Sequence, residues 1–193
     1  SRRLAKYGVN LVRMGFLDLF KTWRLGDTER FKQQLDGVHY TVASLKAQGI
    51  YCYFGHLFWD TAITALNDND LPGLKKGEAA TTAMFFNEPL QEKYLHWVAA
   101  VMIPENPYTG LSLAEDPAVA VVELFNEDSA LFFGTLSRLQ KIPTLRRRAS
   151  RQFCDWIKAK YGSKEALLEA WGPGALDSFG NEGFTGESWE QKT

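Results

Sequence analysis

The chain has 193 residues, the size of one domain, and 45% of them are hydrophobic, enough for a substantial core. Its 22 basic and 23 acidic residues nearly cancel to a formal charge of −1, so no basic excess points to nucleic acid and no acidic tail points to disorder. No apolar run reaches the ~18 residues that a membrane span requires, and two cysteines, Cys52 and Cys154, make no disulfide framework and read as buried free thiols.

In chain order, Ser1-Arg2-Arg3 leads straight into a helix-like stretch, without the pattern of a signal peptide. Val9–Met14 (VNLVRM) is the first of three short apolar segments that read as buried parallel strands. Gly15 to Asp27 reads as a long loop. Thr28–Gln48 is amphipathic, with Phe31, Leu35, Val38, Val42 and Leu45 at three- and four-residue steps, and Gly49 supplies a C-cap. The second strand, Ile50–His56 (IYCYFGH), follows at once, and a long loop runs from Leu57 to Phe86. The next helix spans Asn87–Met102, with Asn87 as N-cap, Pro89 early and Leu90, Tyr94, Trp97, Val98 and Val101 on the apolar face. A turn-rich stretch, Asn106–Pro117, leads into the third strand, Ala118–Asn126 (AVAVVELFN). Pro143–Tyr161 reads as a basic helix whose Arg146-Arg147-Arg148 run is a solvated face, and Ser163–Trp171 as a short helix capped by Ser163. From Gly172 the chain reads as loop or tail. The expected organisation is therefore an α/β segment over 1–142, a helical insertion over 143–172 and a tail over 173–193.

Strands alternating with helices predict a parallel α/β sheet with right-handed crossovers. The long loops after the strands lie where such folds place chemistry. Three Asn-Glu pairs occur. Asn87-Glu88 is explained by helix capping, and Asn181-Glu182 sits in the Gly-rich tail; only Asn126-Glu127 ends an apolar strand. A glutamate there suits glycosidic bond cleavage, which needs one carboxylic acid to protonate the leaving oxygen and, in retaining enzymes, a second carboxylate about 5 Å away. Burial or a neighbouring carboxylate keeps such an acid protonated. The bland reading of Glu127 is a strand-end glutamate without a role.

GVNLVRM at Gly8–Met14, LKAQGIYCYF at Leu45–Phe54, NPYTGLSLAEDPAVAVVELFNEDS at Asn106–Ser129 and KAKYGSKEALLEAWG at Lys158–Gly172 together resemble the clan-A retaining glycoside hydrolases, nearest to cellulase-like and mannanase-like (β/α)8 TIM barrels. The Asn106–Ser129 block is the most specific. The resemblance implies that Glu127 is the general acid/base, that Asn126 binds a sugar 2-hydroxyl and that Arg13 is the strand-two arginine lying near the nucleophile. Glu123, four residues before Glu127, points the same way on a regular strand and pairs with Arg13. His56 either lines the sugar site or is a structural histidine; Trp59 either stacks on a sugar or packs its loop. His39 and His96 read as surface residues on helices, and three scattered histidines make no zinc site. Regular pleating sends Asn126 and Glu127 to opposite faces, so both serve one site only if the strand end twists or bulges.

The sequence departs from the clan in two ways. Met14-Gly15-Phe16 stands where a histidine often follows the arginine. A full barrel needs about 250 residues and eight strands, and only strands matching the second to fourth are legible. The nucleophile belongs to the seventh, and Glu182, Glu187 and Glu190 follow no strand. The expectation is a partial (β/α)8 barrel, inactive alone, whose exposed sheet edges favour self-association. Its partner is a β-linked oligo- or polysaccharide, with no metal or organic cofactor. The alternatives are a non-catalytic carbohydrate-binding or assembly module and an unrelated α/β protein of flavodoxin type. No Gly-rich phosphate loop follows any strand to support nucleotide binding.

Overall fold

The computed structural model describes residues 1–15, 17–55, 83–124, 126 and 142–174. In chain order these form α1 (Arg2–Lys6), β1 (Leu11–Met14), α2 (Leu17–Arg24), α3 (Thr28–Lys46), β2 (Tyr51–Phe54), a 3-10 turn (Ala83–Phe86), α4 (Glu88–Met102), β3 (Glu105–Asn106), β4 (Leu111–Ser112), β5 (Val119–Val122), α5 (Pro143–Tyr161) and α6 (Lys164–Trp171). They divide into two compact units. One holds the described residues of 1–63 and 89–128, the other those of 64–88 and 129–193.

In the first unit, β1, β2 and β5 form a parallel three-stranded sheet in that order. Arg13 lies beside Tyr53, and Tyr53 beside Val121. The register slips between Cys52 and Tyr53: Cys52 pairs with Val119 but Tyr53 with Val121, so β5 carries one extra residue. Side chains alternate between faces. One face carries Cys52 and Phe54, both fully buried, and α3 packs against β2 through its stripe of Leu35, His39, Val42 and Leu45. The opposite face carries Leu11, Arg13, Tyr51 and Val121, all exposed. The three strands are thus less buried than the sequence reading expects: apolar content marks them as strands, but among the described residues only the face of Cys52 and Phe54 is covered.

Why α3 starts and stops where it does is local. Asp27 accepts a hydrogen bond from the Arg30 amide at 3.2 Å, which satisfies one orphan donor of the first turn. Gly49 takes the left-handed conformation, φ 69°, that lets the Ile50 amide fold back onto the Leu45 carbonyl at 3.0 Å. At the helix end, Lys46 pairs with the fully buried Asp116 carboxylate at 3.0 Å. The same Asp116 oxygen accepts from the Ala118 amide at 2.9 Å. Burial alone would push the Asp116 carboxyl up; the Ala118 amide and Lys46 outweigh it and hold it below its ordinary value. One buried carboxylate therefore ties the end of α3 to the approach of β5.

The apolar centre of this unit is aromatic. Trp97 of α4 is fully buried, with Phe20 at 5.1 Å edge-on, Trp23 at 5.5 Å and Phe31 at 6.2 Å between ring centroids. Phe20 and Trp23 belong to α2, a helix in the segment that the sequence reading treats as loop. Its single turn-and-a-half of apolar positions is too short to show a period, and it is the packing on Trp97 that holds it. The Asn106–Pro117 stretch likewise contains a two-stranded antiparallel pairing, β3 with β4. Fully buried Asn106 anchors it, donating to the His39 carbonyl at 3.1 Å and accepting from the Tyr108 amide at 2.9 Å.

His39 corrects the sequence reading. It is buried at 4% exposure, not on the surface, and its Nε2 has no hydrogen-bond partner. His96 is exposed, as read. Cys52 and Cys154 are both free and buried; burial, with a smaller push from Asp116, raises the Cys52 thiol to about 11, so it is inert at neutral pH.

In the second unit, α5 and α6 pack through Ile157 and Leu167, with Tyr161 and Leu168 alongside, and the 3-10 turn lies against α5. Ser163 caps α6 by accepting from the Ala166 amide at 3.1 Å. Arg147 and Arg148 are exposed and Arg146 is half-buried. No helix among the described residues is long and apolar enough to cross a membrane.

Two outcomes are expected. Trp97→Ala should cost about 4 kcal/mol of unfolding free energy in a urea titration, because three neighbouring rings lose their common partner. Burial holds the His39 imidazole below its ordinary value, against a smaller opposing pull from Asp36. The unfolded chain then binds that proton more readily, so this contribution is complete above the ordinary imidazole pKa and is lost as pH falls through it. The melting temperature should drop between about pH 7.5 and about pH 5, and drop less in His39→Leu; equal drops would place the acid sensitivity elsewhere.

Candidate functional site

The candidate site forms at the carboxyl ends of β1 and β5. β1 delivers Arg13 one residue before its end, on the open face of the sheet. Val119 pairs with Cys52 of the covered face, so strict alternation would send Val121 and Glu123 to that face too. The extra residue in β5 reverses the parity: Val121 lines up with Tyr53, and the ladder continues through the Glu123 amide to the Phe54 carbonyl at 2.8 Å. Glu123 thereby reaches the face of Arg13.

Arg13 Nη2 donates to two acceptors at once, Glu123 Oε2 at 2.6 Å and Asn126 Oδ1 at 2.6 Å. Its guanidinium carbon lies 5.1 Å from the centre of the Tyr53 ring. The hydrogen bond to Glu123 is the largest influence on Arg13 and raises its pKa further above its ordinary value, with burial opposing. Glu123 and Asn126 are three residues apart and would face opposite ways on a regular strand. They meet on one nitrogen because β5 ends at Val122 and the chain bends at Leu124 and at Asn126. Tyr94 of α4 holds this bend by donating from its hydroxyl to the Leu124 carbonyl at 3.2 Å, and burial pushes that hydroxyl's pKa well above the ordinary range.

The arrangement fixes the polarity of Asn126. A guanidinium carries donors and no acceptor, so the amide must turn Oδ1 to Arg13 and Nδ2 away. Nδ2 meets no acceptor among the described residues, leaving an N–H pair to offer a ligand oxygen.

Of the residues singled out from sequence, Arg13, Glu123 and Asn126 come together. Glu127, His56 and Trp59 lie outside the described residues. The distortion that the paired use of Asn126 and Glu127 requires was expected at the strand's end. The described irregularities are the extra residue between Val119 and Val121 and the bends at Leu124 and Asn126. Sequence reasoning missed Tyr53 and Tyr94. Tyr53 was absorbed into an apolar run, and its place beside Arg13 depends on strand register. Tyr94 falls on an apolar helix face, where its phenol ring fits but its hydroxyl task is invisible from sequence. Among the described residues no three His, Cys, Asp or Glu side chains group to hold a metal ion. Compared with known proteins, the chain matches no family model, no curated protein and no solved structure.

Tyr94→Phe should keep the ring packed and remove the hydrogen bond to Leu124. The expected loss is about 1 kcal/mol of unfolding free energy. Amide exchange should quicken at residues 123 to 126 before it does in α3, and uniform exchange across the unit would separate Tyr94 from the site.

Proposed function

We propose that this chain carries the acid/base side of a retaining glycoside hydrolase site, with Glu127 as the general acid/base in cleavage of β-linked glycans, on one sector of a (β/α)8 barrel. The observation that supports it most is the shared hydrogen bonding of Arg13 Nη2 to Glu123 and Asn126. It gathers three polar side chains at the carboxyl edge of a parallel sheet, directly before Glu127, where such barrels do their chemistry. The strand order lends further support. β1, β2 and β5 are neighbours in the order in which they occur, which fits a barrel sector and departs from the 2-1-3 start of a flavodoxin-type sheet, though one half of a 3-2-1-4-5-6 sheet shares it.

On this reading each group has a separate task. Asn126 donates from Nδ2 to a sugar hydroxyl next to the reacting carbon. Glu127 protonates the leaving oxygen and afterwards takes a proton from water. Arg13 supplies fixed positive charge that favours an ionised nucleophile about 5 Å from the acid. Glu123 holds Arg13 in place. The reading assigns no residue of this chain as nucleophile.

The test is titration of the isotope-labelled chain with β-1,4-linked hexasaccharides of glucose, mannose and xylose, followed by NMR. At least one should perturb Arg13 and Asn126, and Asn126→Ala should weaken it about tenfold, the loss of one hydrogen bond. Glu127→Gln should leave binding within about twofold, since it removes charge rather than shape. Failure of all three sugars to perturb these residues at millimolar concentration sinks the proposal. Binding in a context that also hydrolyses aryl β-glycosides, with hydrolysis lost in Glu127→Gln, supports the enzyme; binding with no hydrolysis in any context supports a carbohydrate-binding module.

A further inference from the structure

Gly55 follows β2 and is buried beneath the Arg13 side chain. A Cβ built there would fall on Arg13 Nε, with Arg13 Cγ at 2.9 Å and Glu123 Oε2 at 3.0 Å. The atoms met are the middle of the arginine and the carboxylate that holds it, so no small adjustment at a side-chain tip relieves the overlap. Arg13 would have to leave its position. Gly55's φ is not in the left-handed region, so its backbone conformation does not demand glycine. Its amide is engaged, donating to Met14 O at 2.9 Å and Tyr53 O at 3.1 Å, and any non-proline residue could make those bonds. What sets this position apart is the space above it.

We propose that Gly55 is a positioning residue: its missing side chain seats Arg13 so that Nη2 reaches Asn126 and turns the amide's N–H pair outward to the ligand. Tyr53 forms the other wall of the seat, its ring 5.1 Å from the guanidinium carbon. Without the Arg13 donor nothing among the described residues distinguishes the two orientations of the Asn126 amide, and the site presents donor and carbonyl alternately. The identity of the ligand rests on the glycan reading; the state of the Asn126 amide does not.

The experiment follows the Asn126 side-chain NH2 resonance in the labelled full chain, assigned by its loss in Asn126→Asp, and the affinity for the three β-1,4-linked hexasaccharides. Gly55→Ala should shift that resonance, and should weaken whichever sugar binds the wild type about tenfold. Arg13→Ala, which removes both the donor and the atoms over Gly55, should reproduce both effects. In the double variant Gly55→Ala should add nothing, because the side chain it displaces is gone. An unmoved NH2 resonance in Gly55→Ala overturns the proposal, as does an undiminished effect of Gly55→Ala in the Arg13→Ala background. If Gly55→Ala does not fold, the double variant should fold, since the overlap is removed; its failure to fold would make Gly55 a backbone requirement and also overturn the proposal. If no sugar binds the wild type, the glycan reading falls, while the NH2 resonance still decides the role of Gly55.

Discussion

One extra residue in β5 decides which face of the sheet Glu123 occupies. A strand paired in strict register from Val119 onward would put the Glu123 carboxylate among Cys52, Phe54 and the α3 stripe. An ionised group there would be far costlier than a hydrogen bond can offset. The slip between Cys52 and Tyr53 moves it to the open face, where Arg13 already stands. The rest of the site follows. Glu123 restrains Arg13, Arg13 orients Asn126, and the bends at Leu124 and Asn126 let both side chains reach it. Bulges near sites commonly re-aim a side chain in this way.

The slip is tolerable because its surroundings are firmly held. Upstream, Asp116 joins the Ala118 amide and Lys46, so the chain enters β5 from a fixed point on α3. Downstream, Tyr94 holds the Leu124 carbonyl from α4. α4 in turn is anchored by Trp97 among Phe20, Trp23 and Phe31. An irregular strand between two such fixed points can keep its irregularity. The energetic centre of the unit, an aromatic cluster on the helices, lies apart from the polar group whose geometry it supports.

The open face has chemical meaning for the glycosidase reading. Leu11, Arg13, Tyr51, Tyr53 and Val121 share it with Glu123, a mixture of apolar rings and one paired charge. The Arg13–Glu123 pair is partly exposed, so water screens it and its direct worth to stability is small. Its value lies in direction: a guanidinium held by a carboxylate on one side and an aromatic ring on another has few places left to point. That makes it suited to orienting a neighbouring amide, with Arg13 filling the place a Gly55 side chain would take.

The elements with strong local signals were legible from sequence. α3 shows its helical stripe and its Gly49 stop; α4 shows Asn87, Pro89 and a row of apolar positions; α6 shows Ser163. The three parallel strands show as short apolar runs; Asn126 stands out at a strand end, Glu123 by its spacing from Glu127, and Arg13 only through the resemblance to the glycoside hydrolases. α2 does not show, because eight residues hardly display a period, and its burial is supplied by Trp97, more than seventy positions away. His39 was misread because a helix stripe shows which positions align, not that β3 and β4 will cover one edge of it. Residue type and spacing by themselves determined the α/β alternation, the course of the longer helices and the strand-end position of Asn126. Only tertiary structure decided which face each candidate occupies, because strand parity is reversed by a single unpaired residue, and that slip is set by the neighbouring strand rather than by the sequence of β5 alone.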